Sequence, residues 1–486
     1  MNVAFLTTEC FPYVKTGGLA DVSGSLPKAL QKLGCDMKVF LPLYDTIKTI
    51  DNGLYQNEEF KDTPVKIGDL TYTFNFWEGK LPDSEVNVYF IDCPHFFHRG
   101  KPYTDDKDED ERFIFFQIAC IELMQRLKWS PAIINCNDWQ TGLIPSYIRF
   151  NYNWDELFKN TKTILSIHNI GYQGRFAPAT IEKAGLSKEH FYVEGPYELD
   201  KAFSFLKAGL WFSDVLTTVS PNYAKEIQTK EYGAGLEGVL QMRSKDLYGI
   251  LNGIDTDEWN PKTDKYIPHD YSYDKLEEKY KIKKHLIKEA GFKYREDIPL
   301  IGLITRLTGQ KGLDLIMPVF HDLMQLPIYM MVLGSGEKKY EEFIERAADA
   351  YADNFIEYVG YNNELSHLIT AAADMFLMPS LYEPCGLNQM YSLQYGAVPI
   401  VRKTGGLADT VFDYHEFEQT GNGFSFEEAT PHALYETVKR AITIYQDKEE
   451  WEKIMVRGMK SDFSWDKSAE EYYGIYEQLT ERSFIN

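Results

Sequence analysis

Arg306 is followed by Lys311-Gly312 in a chain of 486 residues whose 73 Asp and Glu outnumber its 51 Lys and Arg, a formal net charge of −22. Two cations at a strand end and at the start of the next helix suit a diphosphate, because free backbone N–H groups and the helix dipole add to their charge. The alternative is two solvated cations on a loop. In Tyr382-Glu383-Pro384-Cys385-Gly386-Leu387 a carboxylate stands before a proline that can open a helix. Glu383 there either accepts hydrogen bonds from sugar hydroxyls or merely complements the helix dipole. Cys385 reads as a reactive thiol at a helix start or as a small buried residue. Lys15 with Gly17-Gly18 joins a charge to two glycines that let the backbone approach an anion, or forms an ordinary turn. Asp138 of Asn137-Asp138-Trp139 is able to act on a hydroxyl while Trp139 supports a ring; the plainer reading is a helix N-cap and a core tryptophan. His168-Asn169 and Asn252-Gly253 are two more polar pairs, readable as functional or as a satisfied histidine and a hinge turn.

These clusters need elements to position them. Short apolar runs predict strands at Val3–Leu6, Met37–Leu41, Val86–Ile91, Ala132–Asn135, Thr163–Ile167 and Val215–Val219, with helical patterns between them, one of them over Arg112–Leu127. The pattern restarts with strands at Leu300–Thr305, Tyr329–Leu333, Phe355–Tyr358, Met375–Met378 and Val398–Val401, and a helix over Leu313–Leu326. Apolar strands alternating with helices predict parallel sheets covered on both faces. The polar stretch 261–297 reads as a linker and a surface helix over Lys275–Gly291. The expected division is therefore 1–254 and 255–461, two Rossmann-like α/β domains, with 462–486 helical and packing back on the first. Each polar cluster follows a strand, and ligands of open α/β sheets bind at the carboxyl ends of strands. Lys15-Thr16-Gly17-Gly18-Leu19-Ala20-Asp21 recurs as Lys403-Thr404-Gly405-Gly406-Leu407-Ala408-Asp409, one copy in each half, which points to related tasks.

The acidic balance disfavours nucleic acid and anionic membrane surfaces as partners. Six scattered cysteines show no metal spacing and read as free thiols in a reducing compartment. No run of 18 apolar residues predicts a membrane span, and the start reads as a core strand and not a signal peptide, so a cytoplasmic location is expected.

Taken together, Lys15 to Val22, Asn137-Asp138-Trp139, His168-Asn169, Ser204 to Leu210, Leu251 to Asp255, Thr305 to Gly312, Glu383 to Leu387 and Arg402 to Thr410 resemble the bacterial glycogen synthase and plant starch synthase family across essentially the whole chain. The resemblance implies the two-Rossmann GT-B glycosyltransferase fold, with a deep cleft and a C-terminal helix crossing back. It implies transfer of glucose, with retained α configuration, to the end of an α-1,4-glucan, and no cofactor or required metal. The implied donor is ADP-glucose by family branch, with UDP-glucose the other choice. By the family pattern Arg306 and Lys311 hold the diphosphate and Glu383 lies beside the donor glucose, in the motif that continues through Cys385, Gly386 and Leu387. Thr404, Gly405 and Gly406 line the nucleotide site, and Tyr361 meets the base. Lys15, Gly17 and Gly18 contact the donor from the first domain, while His168 and Asp138 face the transferring sugar and acceptor end with Asn252 nearby. Many bacterial members carry His-x-His where this chain has Asn135-Cys136-Asn137, which puts the acceptor contacts in question. Two rival readings are a glycoside hydrolase using Asp138 and Glu383 and a catalytically silent glucan-binding regulator.

Overall fold

The computed structural model describes residues 1–415 and 417–481. The chain forms two compact units, the first of residues 1–253 and 465–486, the second of residues 254–464. Residues 482–486, part of the segment expected to pack back, lie outside the described residues.

The first unit is built on a ten-stranded sheet among the described residues. Its parallel part runs in the spatial order Leu247–Gly249, Val215–Thr218, Lys162–Ile167, Ile133–Asn137, Asn2–Leu6, Asp36–Pro42 and Asn87–Asp92. The chain winds outward in one direction from Asn2–Leu6 and, after the sheet edge, in the other from Ile133–Asn137. The strand order therefore reverses between those two strands, and a crevice opens outside their carboxyl ends. The expectation of a purely parallel sheet is corrected at one edge. Leu70–Lys80 pairs antiparallel with Asn87–Asp92 and carries Thr63–Ile67 and Tyr55–Gln56. In Leu70–Lys80 polar and apolar residues alternate, so no continuous apolar run marks it.

The helix Trp465–Glu481 packs on the helix Gly18–Lys32 within this unit. Its Tyr476 hydroxyl donates to Asn135 Oδ1 at 2.8 Å. No helix among the described residues is long and apolar enough to cross a membrane.

In the second unit, among the described residues, six strands are all parallel, in the order Phe355–Val359, Tyr329–Gly334, Leu300–Ile304, Met375–Met378, Val398–Arg402 and Phe424–Phe426. The reversal falls between Leu300–Ile304 and Met375–Met378. The expected helix over 313–326 is broken into Leu313–Ile316, a tighter turn Met317–Val319, and Phe320–Met324. Pro318 lacks the N–H that a continuous helix would use there.

The stretch 261–297 is not a linker with a surface helix. Tyr271, Ile282 and Ile287 are fully or almost fully buried, and so are the side chains of Lys279 and Lys283 on the helix Glu277–Glu289. Lys283 Nζ lies 2.7 Å from Asp374 Oδ2, and it also donates to Ile298 O at 2.7 Å and to the Tyr445 hydroxyl at 2.9 Å. Asp374 Oδ2 in turn accepts the Leu300 N–H at 2.8 Å. Extra hydrogen bonds of this kind offset the cost of burying the pair, although Asp374 Oδ1 has no partner among the described residues. The pair pins the amino ends of the two central strands, which fixes where their carboxyl ends emerge.

Lys279 donates to Ala371 O at 2.6 Å, and burial pulls its pKa down to about 7. Unfolded, it titrates near 10.4. Between those values the unfolded chain holds the extra proton, so stability rises with pH across that window. Urea unfolding from pH 7 to 10 is expected to show this rise in the native chain and to lose much of it in Lys279→Met.

Candidate active site

At the reversal point of the second sheet three loops close on one another. The loop after Leu300–Ile304 carries Arg306 and Lys311. The loop after Met375–Met378 carries Glu383, and that after Val398–Arg402 carries Thr404, Gly405 and Gly406. Backbone and side-chain bonds knit them. Leu381 N–H donates to Gln310 O at 2.8 Å, Gln310 Nε2 to Tyr382 O at 3.2 Å, and Gly406 N–H to Glu383 O at 3.1 Å. Glycines permit the approach. A Cβ on Gly312, at φ 79°, would lie 2.0 Å from Pro379 O, and one on Gly405, at φ 47°, 1.8 Å from Glu383 O. No L side chain fits those contacts.

The functional groups meet accordingly. Lys311 Nζ lies 2.6 Å from Glu383 Oε2, both largely buried, and Ser380 Oγ donates to the same oxygen at 2.9 Å. Lys311 keeps two N–H donors for another ligand. Arg306 is exposed, and its guanidinium has no partner among the described residues. Cys385 is buried and not a surface thiol. A Cβ on Gly386, at φ 73°, would lie 2.5 Å from Gln389 Oε1 and 3.1 Å from Glu383 Cγ, and Leu387 precedes the helix Asn388–Gln394. Thr404 is buried. Tyr361, after the edge strand Phe355–Val359, is 78% exposed and bonded only to Asn363 among the described residues, so it stands apart from this cluster.

In the first unit the reversal point gathers a second group. Asp138 directly follows Ile133–Asn137 with φ 58° and ψ −172°, a conformation rare outside glycine and a mark of stored strain. It is no side-chain cap of the turn it precedes. Its Oδ1 instead accepts the His168 N–H at 2.7 Å, from the next strand end. Burial pushes the Asp138 carboxyl up to about 7, against the backbone N–H bonds of His168 and Asn169 that lower it. Burial also pulls the His168 imidazole down to about 4. Asn137 Nδ2 donates to Leu6 O at 2.8 Å, which turns Asn137 Oδ1 toward His168 Nε2 at 2.8 Å. The neutral ring therefore carries its proton on Nε2 and leaves Nδ1 bare. Trp139 is half-buried and packs edge-on against Phe113 and Phe205 and at a tilt against Phe176.

The paired shifts have opposite signs. Between about pH 4 and 6.5 the folded chain holds the Asp138 proton more tightly than the unfolded chain, while the unfolded chain holds the His168 proton more tightly. The two slopes of stability against pH oppose each other there. Asp138→Asn removes one of them. Its thermal midpoint is expected to climb more steeply than that of the native chain from pH 4 to 6.5, and to lack the fall that the native chain shows through about pH 7.

Lys15 is half-exposed and ion-paired to Asp21 at 2.7 Å. The expected anion cradle at Gly17-Gly18 is already occupied: the buried Glu9 carboxylate accepts the N–H groups of Thr16 at 2.5 Å and Gly17 at 2.8 Å. Tyr103 also donates to Glu9 at 2.7 Å. Sequence reasoning missed Glu9, although Thr7-Thr8-Glu9 directly follows the first strand. A Cβ at Gly17 or Gly18 meets nothing within 4 Å, unlike the glycines of the second copy. The two identical heptads thus do different physical work: the first leaves open space, the second closes a backbone contact. Asn252 is buried, and its Oδ1 has no partner among the described residues. It is flanked by Leu251 O, which accepts from Ser468 Oγ at 2.5 Å, and by Gly253, packed against the backbone of Trp465.

Two Rossmann-like units, each with polar clusters at its strand-order reversal, define a glycosyltransferase of the GT-B class. Residues 2–242 match the starch synthase catalytic domain and residues 287–455 match glycosyl transferases group 1. The chain is 45% identical to the glycogen synthase of Pseudothermotoga lettingae over 98% of its own length and 99% of that protein. It is 43% identical to the glycogen synthase of Clostridium novyi over 99% of both. The catalytic domain of starch synthase IV from Arabidopsis thaliana, solved bound to ADP and acarbose, superposes with a TM-score of 0.91 at 34% identity over 99% of both chains. The chain belongs to the glycogen and starch synthase family.

Proposed function

We propose that the chain moves glucose from ADP-glucose to the non-reducing end of an α-1,4-glucan, retaining the α configuration. The observation that carries this reading is the cluster at the second unit's reversal point, where Arg306 is free, Lys311 has donors to spare, and Glu383 lies 2.6 Å from Lys311. The second unit holds the nucleotide sugar; the first, with its returning helix, serves the acceptor side. ADP and acarbose in the Arabidopsis relative support a nucleotide donor with adenine and an α-glucan-like acceptor.

The bond from the anomeric carbon to the diphosphate breaks through an oxocarbenium-like transition state. Charge grows on the departing phosphate, and Arg306 and Lys311 stabilise it more than they stabilise the bound substrate. Retention requires the acceptor hydroxyl to attack from the leaving-group face, so that its oxygen bonds the anomeric carbon as its proton passes to the departing diphosphate. Glu383 holds the donor sugar by a hydroxyl, and Tyr361 meets the base. His168, neutral with a bare Nδ1, contributes dipoles and no proton. Asp138 faces the acceptor end, with Asn252 nearby. Excluding water protects the donor from hydrolysis. The six free, buried cysteines suit a reducing cytoplasm.

Incubation with glycogen and either ADP-glucose or UDP-glucose tests the reading. The expected result is nucleoside diphosphate release matched by chain lengthening, faster with ADP-glucose. Shortening of the glucan would support a hydrolase, and glycogen binding without ADP release a silent regulator.

A further inference from the structure

We infer that Ser380 is a positioning residue for the transfer reaction, its hydroxyl orienting Glu383 so that Oε1 alone is left to accept from the donor sugar. This rests on the proposed role of Glu383. Ser380 follows Met375–Met378 by one proline and is 1% exposed. Its Oγ donates to Glu383 Oε2 at 2.9 Å, the oxygen that also takes Lys311 Nζ at 2.6 Å. The main chain of Glu383 is fixed as well, since its carbonyl accepts Gly406 N–H at 3.1 Å. Oε1 has no donor among the described residues.

A carboxylate held by a lysine alone can still swing, because an ammonium on a flexible stem is a point charge with rotatable donors. Adding a short-tethered hydroxyl from the same loop fixes the plane of the carboxylate. Two donors on one oxygen turn the other into the acceptor for a ligand. The same hydroxyl keeps Lys311 from being the sole partner of Glu383, so Lys311 can follow the phosphate as charge develops while Glu383 stays in place.

The test is a double-mutant cycle of Ser380→Ala and Glu383→Gln, read as kcat with ADP-glucose and glycogen and as ADP affinity by calorimetry. Ser380→Ala is expected to lower kcat about 10- to 100-fold, the range for losing one hydrogen bond to a charged group, with ADP affinity held within about 3-fold. Ser380→Thr, which keeps the hydroxyl, is expected to recover most of the loss. In the Glu383→Gln background Ser380→Ala should add nothing, because it acts only through Glu383. Native kcat in folded Ser380→Ala, or losses that multiply in the double variant, would overturn the inference. If Ser380→Ala does not fold, Ser380→Cys, a weaker donor of similar shape, carries the same expectation and the same refutation. Unchanged kcat in Glu383→Gln would instead overturn the role of Glu383, an outcome separate from a slow Glu383→Gln paired with a normal Ser380→Ala.

Discussion

Lys311→Ala is expected to lower kcat about 100- to 1,000-fold while glycogen binding stays near normal. The figure is the cost of removing one preorganised donor from developing negative charge. The geometry adds to it, because Lys311 is the cation facing the largely buried Glu383 carboxylate at 2.6 Å. Deleting it removes charge from the leaving phosphate and leaves an unpaired anion next to the sugar. Stopped assays of ADP release, beside a glycogen co-sedimentation assay, separate the two effects. Turnover within about 3-fold of native would remove Lys311 from the proposed role.

Gly405→Ala is the second large effect. The backbone there has φ 47°, which costs an L residue about 1–2 kcal/mol. The new Cβ would also stand 1.8 Å from Glu383 O, so the loop bearing Glu383 must move. A displacement of about 1 Å in a positioned group costs roughly 100-fold in rate. The expectation is a lower thermal midpoint together with a kcat reduced about 100-fold. Gly17→Ala in the first copy of the same heptad is the contrast. It has φ −147° and open space around the new Cβ, so its stability should stay within about 0.5 kcal/mol of native. Equal destabilisation at both positions would refute the account of the repeat.

Much of this arrangement was legible in the residues. Apolar runs located the parallel strands because a strand buried on both faces has no reason to alternate. Arg306, Lys311 and Glu383 stood out as charge at strand ends in an acidic chain. Strand order was not legible, because pairing partners lie far apart in the sequence. Hence it was hidden that the strands leading to Arg306 and Glu383 are neighbours, or that Asp138 reaches His168. The stretch around Lys279 and Lys283 misled for a related reason. A lysine counts as solvated until its partners are known, and Ala371, Asp374 and Tyr445 come much later in the chain. Leu70–Lys80 was missed because an antiparallel edge alternates polar and apolar residues. Glu9, Asn137 and Ser380 act by hydrogen bonds to other functional groups, and nothing in their spacing announces a partner. The heptad repeat invited one interpretation for both copies, and only the surrounding backbone separates them.

The most direct measurement is a crystal structure with ADP bound. The account places the pyrophosphate within hydrogen-bonding distance of Arg306 and Lys311, at the carboxyl ends of Leu300–Ile304 and Met375–Met378. A nucleotide whose phosphates sit elsewhere, with Arg306 still turned to water, would contradict it.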